Sequence, residues 1–231
     1  MIQNFIAIDL ETTGLSAKED KIIEVGAIKV VDGKEVGRYE TFINPGRKIP
    51  ERIIEVTGIN DLMVIDAPYI EDVIVDILDF MEDYPLIGHN LMFDYSFIKR
   101  AAVNNRLSFE KKGIDTLKLA RKYLPELESK RLDYLCSYFC IEDENHHRAI
   151  NDAIAAYKLY EVLCKNYAAY EELPIDLNYK VKKETPITPR QVSYLTDLIA
   201  RHNIPVDYDI SRLTKNEASR RIDNIISTYG R

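Results

Sequence analysis

Between Phe5 and Ile43 the chain passes through three β-rich stretches before any helical periodicity begins. Phe5-Ile6-Ala7-Ile8 is a short apolar run that ends on Asp9. Ile22 to Val31 is β-rich, Asp32-Gly33 is a hairpin turn signal, and Val36 to Ile43 supplies a return strand. That order predicts a meander. From Pro68 onward the pattern changes. Ile70, Val73, Ile74, Ile77, Leu78 and Met81 recur at helical spacing, and Pro85 to Gly88 is a short buried strand. Asp94 to Asn104 reads as a helix, Ile114-Asp115 as a strand leading into a helix, and Leu132–Phe139 and Ala149–Cys164 as two more helices. Strands first, then alternating helices and strands, predict an α/β fold with a mixed β-sheet flanked by helices.

The 231 residues exceed the ~150 of an average domain, so one full domain plus something smaller is expected. Residues 1–167 make the main domain. Residues 168–187, with Glu171-Glu172-Leu173-Pro174 and a charged stretch from Lys180 to Thr188 broken by Pro186, read as a linker. Residues 188–231 form a small helical module. Thr188-Pro189 opens its first helix with favourable N-cap and N1 residues, and Thr214 with Glu217 makes a capping box for its second. Gln191 followed by apolar residues loosely matches a sliding-clamp peptide, but it falls inside the predicted helix.

Composition narrows the function classes. A 46% hydrophobic fraction is too high for a disordered chain. No run approaches the ~20 apolar residues of a membrane-spanning helix, and the N-terminus lacks the basic region of a secretory signal. Three cysteines cannot all pair internally, which fits a reducing cytoplasm. Cys136 and Cys140 have no matching ligand pair and read as packed core cysteines. From residue 180 onward there are 10 Lys and Arg against 6 Asp and Glu, net +4, which leaves net −11 for residues 1–179. An acidic body argues against holding a polyanion by bulk charge, but clustered carboxylates are what a divalent-metal site requires.

The candidate chemistry lies in the carboxylates. Asp9 and Glu11 are two apart at a strand end and so point to one face, where they repel unless a cation sits between them. Asp94 stands at a helix start after a buried strand, where the ordinary reading is an acidic cap. Asp152 follows His147 by five residues, and its ordinary reading is an exposed acid in a first helical turn. His146 competes with His147, and His202 reads as surface in the tail.

Taken together, these blocks resemble a known family. Asp9-Leu10-Glu11-Thr12-Thr13-Gly14-Leu15, Lys21 to Ala27, Phe42 to Gly46, Val56 to Ile59, His89-Asn90 with Phe93-Asp94, Asp115-Thr116-Leu117, and His147-Arg148-Ala149 with Asp152 occur in the order found in DnaQ-like 3′→5′ exonucleases. The histidine five before the last aspartate resembles the DEDDh branch, whose sister branch carries tyrosine where Arg148 stands. Within that branch the chain is similar to the proofreading exonuclease module of Gram-positive replicative DNA polymerases.

The resemblance spans about residues 4–165 and implies a ribonuclease H-like sheet. It implies two Mg²⁺ or Mn²⁺ ions, one held by Asp9, Glu11 and Asp152 and one by Asp9 and Asp94. His147 is then the general base, a role suited to a residue type that exchanges protons near neutral pH. It also implies that Thr12, Thr13, Gly14 and Leu15 meet the terminal nucleotide, with Gly14 supplying a turn of positive φ. Ile59 would wedge against the terminal base, Phe93 would pack beneath sugar or base, and His89 and Asn90 would contact the nucleotide or shape its pocket. The implied partners are single-stranded or frayed 3′ ends, DNA favoured over RNA, and a polymerase or other replication or repair protein. The alternatives are an exoribonuclease trimming RNA or short oligonucleotides, and an inactive adaptor built on a nuclease fold.

Overall fold

The computed structural model describes residues 1–142 and 147–230. The chain forms two compact units, Met1–Pro45 with Ile49–Val181, and Gly46–Lys48 with Lys182–Arg231. Among the described residues no helix is long and apolar enough to cross a membrane.

The large unit is built on β1 (Phe5–Thr12), β2 (Ile22–Val31), β3 (Lys34–Phe42), β4 (Leu86–Gly88), β5 (Lys112–Asp115) and β6 (Ile175–Asp176). They form one sheet in the order β3-β2-β1-β4-β5-β6. The expected meander is present, with β1 antiparallel to β2 and β2 to β3. On the other side β4 lies parallel to β1 and β5 parallel to β4. After β1 the chain first builds outward on one side and then returns to the other. The carboxyl end of β1 is therefore a switch point, the place where α/β sheets open a crevice for ligands.

The two-residue period of β1 sorts its side chains between two cores. Ile6, Ile8 and Leu10 join a cluster with Ile74, Ile77 and Met81 of α3 (Ile70–Met81) and with Phe97 and Ile98 of α4 (Met92–Asn104). Phe5 and Ala7 join the opposite cluster, which includes Leu119 of α5 (Thr116–Tyr123), Leu135 of α6 (Leu132–Tyr138), and Leu159 and Leu163 of α7 (Ala149–Tyr167). Asp9 and Glu11 continue the second series, so they leave the sheet on the α7 face.

Two short helices in the large unit, α1 (Glu51–Thr57) and α2 (Asp61–Val64), have no counterpart in the sequence reading. Neither is long enough to display a helical period. The linker expected over 168–187 is also corrected in its first half. Ala169 and Leu177 are buried, and β6 pairs antiparallel with β5 at the sheet edge. Both β6 side chains are exposed, so the segment carries the polar composition of a linker while its backbone completes the sheet. Of the two spaced cysteines, Cys136 is buried as expected, whereas Cys140 is exposed beyond the end of α6.

The small unit contains α8 (Pro189–His202) and α9 (Lys215–Tyr229), packed through Leu195, Leu198, Leu213, Ala218, Ile222 and Ile225. Each helix begins with a complete capping box, Thr188 with Gln191 and Thr214 with Glu217. The Gln191 amide also donates to the Lys215 carbonyl and to Ser219 Oγ, so it holds α8 to α9. His202 is half-buried and stacks on Tyr229 at 5.4 Å, which corrects its reading as a surface residue.

Candidate active site

Asp9 and Glu11 stand where β1 outruns its parallel neighbour. β4 pairs with β1 only at Ile6 and Ala7, so the Leu10 N–H beyond them lacks a strand partner on that side. Asp94 supplies one, its Oδ1 accepting from Leu10 N at 3.1 Å. Asp94 is 2% exposed and makes no helix cap, since the N-cap of α4 is Leu91. The carboxylate that reads from sequence as a cap is instead bonded across to the strand that carries the other two acids.

The remaining groups arrive with α7. Asp152 lies in its first turn, where the helix dipole favours negative charge. His147 precedes the helix with a backbone φ of 70°, in the left-handed region that histidine adopts more often than most residues. The ligand atoms of Glu11, His147 and Asp152 all lie within 4.8 Å of one another. Asp9 feels the negative charge of Asp94, Asp152 and Glu11. The five expected residues thus converge at one strand end. His146 lies outside the described residues.

Burial and mutual repulsion set the electrostatics. Burial, then the charges of Asp152 and Glu24, push the Glu11 carboxyl up to about 8. Burial, followed by the neighbouring acids, holds Asp9 and Asp94 well above the usual carboxylate range. Oxygen-rich, mutually repelling donors beside one imidazole fit hard divalent cations, because a cation between them offsets both the burial and the repulsion that disfavour their charge.

Two residues outside the expected set anchor α7. Glu24 is 0% exposed and faces α7 from β2. It accepts from Arg148 Nε at 2.9 Å, from Arg148 Nη2 at 2.6 Å and from Ala149 N at 3.0 Å. Gly26 lies two residues on, paired with Asp9 across the ladder. A Cβ there would lie 2.2 Å from the Ala149 carbonyl carbon and the Ile150 nitrogen, so only glycine admits α7 this closely. The signal in the sequence is Glu24-x-Gly26 on the same alternating face as Ile28 and Val30, an acid and a glycine where apolar residues would be expected.

The structure sorts the expected substrate-contact residues. Leu15 is 85% exposed and free to meet a base. Thr12 and Thr13 are buried; Thr12 Oγ1 donates to the Gly14 carbonyl at 2.6 Å, and Thr13 Oγ1 accepts from Lys21 N at 3.0 Å. Gly14 does not adopt positive φ. Its lack of a side chain serves close approach instead, since a Cβ would lie 2.5 Å from the Asp20 carboxylate and would displace that side chain. Phe93 is half-buried at the edge of the core, its ring 5.0 Å from that of Phe97.

Ile59 is corrected. It is 0% exposed and packs with Ile23, Ile49 and Val64, so it is a core residue and not a wedge.

His89 is held on both sides, Nδ1 2.9 Å from Thr116 Oγ1 and Nε2 2.8 Å from the Lys130 carbonyl. The carbonyl can only accept, so Nε2 carries the proton, and burial lowers the imidazole pKa. His89 therefore shapes a wall and has no ring nitrogen left for a nucleotide. Exposed Asn90 takes the left-handed conformation at φ 68°, and its N–H donates to Asp115 Oδ1 at 3.0 Å. Asp115 also caps α5 through Leu117 N at 3.0 Å, locking the ends of β4 and β5 together.

Comparisons with known proteins match this geometry. A model of the Exonuclease family (RNase_T) matches residues 6–160. The chain is 35% identical over 228 residues to the PolC-type DNA polymerase III of Caldanaerobacter subterraneus subsp. tengcongensis, covering 92% of this chain and 16% of that protein. It is 44% identical over 165 residues to the Bacillus subtilis PolC-type enzyme, covering 70% of this chain and 11% of that protein. The chain thus spans a small fraction of these relatives. Among solved structures, Exonuclease X in complex with 5′ overhanging duplex DNA matches with a TM-score of 0.55 at 27% identity, covering 70% of this chain and 92% of that one. E. coli Exonuclease I in complex with a dA16 oligonucleotide matches with a TM-score of 0.63 at 19% identity, over 72% of this chain and 42% of that one, a likeness of fold. With its mixed sheet flanked by helices and a family match running from β1 into α7, the chain belongs to the exonuclease family.

Proposed function

We propose that this chain is a metal-dependent 3′→5′ exonuclease of the DEDDh type, acting on single-stranded or frayed DNA ends and releasing nucleoside 5′-monophosphates. The observation that carries the reading is the convergence of Asp9, Glu11, Asp94 and Asp152 with His147 at the carboxyl end of β1. Asp9, Glu11 and Asp152 would hold one Mg²⁺ or Mn²⁺, and Asp9 with Asp94 the second. Bound there, the ions would neutralise the carboxylates, polarise the phosphoryl group and stabilise the charge that develops on the attacking and leaving oxygens.

The chain's own groups do the rest. His147 takes the proton from the attacking water as general base. The loop from Thr12 to Leu15 and the Phe93 ring position the terminal nucleotide by backbone and apolar contact. Contacts of that kind are tolerant of base identity, so little sequence preference is expected. DNA is favoured over RNA because the relatives are DNA polymerases and the matched structures hold DNA. By the same relation a polymerase or another replication or repair protein is a fitting partner, in the cytoplasm.

The test is incubation of the purified chain with 3′- and 5′-labelled DNA and RNA of one sequence, with Mg²⁺, Mn²⁺ or EDTA. A metal-dependent ladder shortening from the 3′ end, faster on DNA, is expected. Faster loss of RNA would reassign the substrate to RNA. Folded, metal-supplied protein that degrades neither polymer would replace the enzyme with a binding role.

A further inference from the structure

A cavity of about 420 Å³ has His147 and Asp152 of the proposed catalytic group among its lining residues. The same lining holds three cations, Arg121 in the last turn of α5 and Lys130 and Arg131 in the segment leading to α6, together with Asp133. His89 forms the side of the cavity and, through its bond to the Lys130 carbonyl, fixes the backbone between the two basic groups. Residues 1–179 carry net −11, so a concentration of positive charge here is a local departure from the body's own field.

The three cations differ in how far they are committed. Lys130 Nζ is occupied by the carbonyls of Pro125 and Leu127. Arg131 pairs with Asp133 at 3.1 Å on an exposed surface. Arg121 is exposed and, among the described residues, its guanidinium makes no ion pair or hydrogen bond. An arginine with no carboxylate partner among the described residues, lining a cavity shared with the proposed catalytic groups, suits a phosphate oxygen through its planar fork of donors.

We propose that this cavity is a strand-binding subsite, in which Arg121, supported by Arg131, holds the phosphodiester on the 5′ side of the scissile one. The proposal rests on the exonuclease reading and adds how that site engages a polymer rather than a lone nucleotide. It places the cationic residues upstream of the cut, with the released nucleotide leaving on the Leu15 and Phe93 side. Against the body's net negative charge, these cations guide the strand toward His147.

The experiment compares two substrates in the full chain with Mn²⁺. One is a single-stranded oligodeoxynucleotide, which has an upstream phosphate. The other is the p-nitrophenyl ester of thymidine 5′-monophosphate, which has none. In Arg121→Gln the ratio of kcat/KM on the oligonucleotide to that on the ester should fall about tenfold, through KM, as expected for loss of one charge-assisted hydrogen bond. Arg121→Lys should recover most of that ratio. The salt dependence of log KM on the oligonucleotide should become shallower by about 0.7 in Arg121→Gln, the share of one contact to a single strand.

An unchanged ratio with an unchanged salt slope overturns the subsite. Equal losses on both substrates also overturn it, because they place the released nucleotide against Arg121. Wild-type protein that cleaves neither substrate removes the exonuclease reading itself, which separates that failure from failure of the subsite alone.

Discussion

At the carboxyl end of β1 the large unit crowds four carboxylates, and burial together with neighbouring negative charge raises the pKa values of Asp9, Glu11 and Asp94, whereas in the small unit the capping acid Glu217 is answered by a backbone N–H. The contrast shows which parts of the chain are self-sufficient. Both capping boxes of the small unit are local, each spanning a single helix turn. The acid cluster is assembled from β1, α4 and α7, and it opposes folding while no cation is bound. It persists because the scaffold around it is over-determined. The Glu24 carboxylate seizes Arg148 and Ala149, Gly26 admits α7 at contact distance, and Asp115 ties β5 to the turn after β4.

The contrast breaks most sharply at Asp9. Asp9→Asn should abolish detectable turnover in the labelled-DNA assay while stabilising the chelated protein by about 1–2 kcal/mol, because a repelling charge is removed. For a chain of this size that is a rise in Tm of about 2–4 °C per kcal/mol, read by thermal denaturation in EDTA. A fall in Tm would show that the acids do not strain the fold. Added Mn²⁺ should raise the Tm of the wild type more than that of the variant.

His147→Ala comes next. Turnover should drop by about 10²–10⁴-fold, with little change in Tm, if the imidazole works as general base. Retention of near wild-type kcat would assign the proton transfer elsewhere, and the parallel His146→Ala variant would show whether the neighbouring histidine carries it.

Glu24→Gln tests the scaffold rather than the chemistry. Removing the buried charge beneath Arg148 should cost about 1–3 kcal/mol of stability. It should also lower kcat more than it raises KM, because His147 and Asp152 lose their fixed approach to Glu11. A loss of stability with kcat intact would make Glu24 a packing residue only.

The smallest effect belongs to the small unit. Thr214→Ala removes a cap from α9 and should cost about 1 kcal/mol. Circular dichroism of the full chain should register the loss, and kcat on the p-nitrophenyl ester should not follow it. A matching fall in kcat would mean that the two units are energetically coupled.

Much of this could be read from the chain itself, because the underlying signals are local. The apolar run of β1, the β-rich stretch of β2, the Asp32-Gly33 turn, the helical spacing from Ile70 to Met81 and the Thr-initiated caps each act within a few residues, and each element stands where it was expected. The order of the acidic and histidine blocks likewise named the five residues that converge. Tertiary structure decided what depends on partners far along the chain. Ile59 is apolar in either role, and only its burial against Ile23 and Ile49 distinguishes packing from contact with a base. Gly14 could serve a turn of positive φ or a close approach, and the folded backbone, without positive φ and with Asp20 beside it, matches the second. The polar composition of residues 168–187 concealed an edge strand, because pairing with β5 uses backbone groups that composition does not report. Arg121 is an unremarkable surface arginine in the sequence, and its place in the cavity comes from folding α5 beside His89 and α7. Sequence determined the longer elements and the chemical types; long-range packing decided the edge strand, which side of each element is buried, and with it which residues face the cleft.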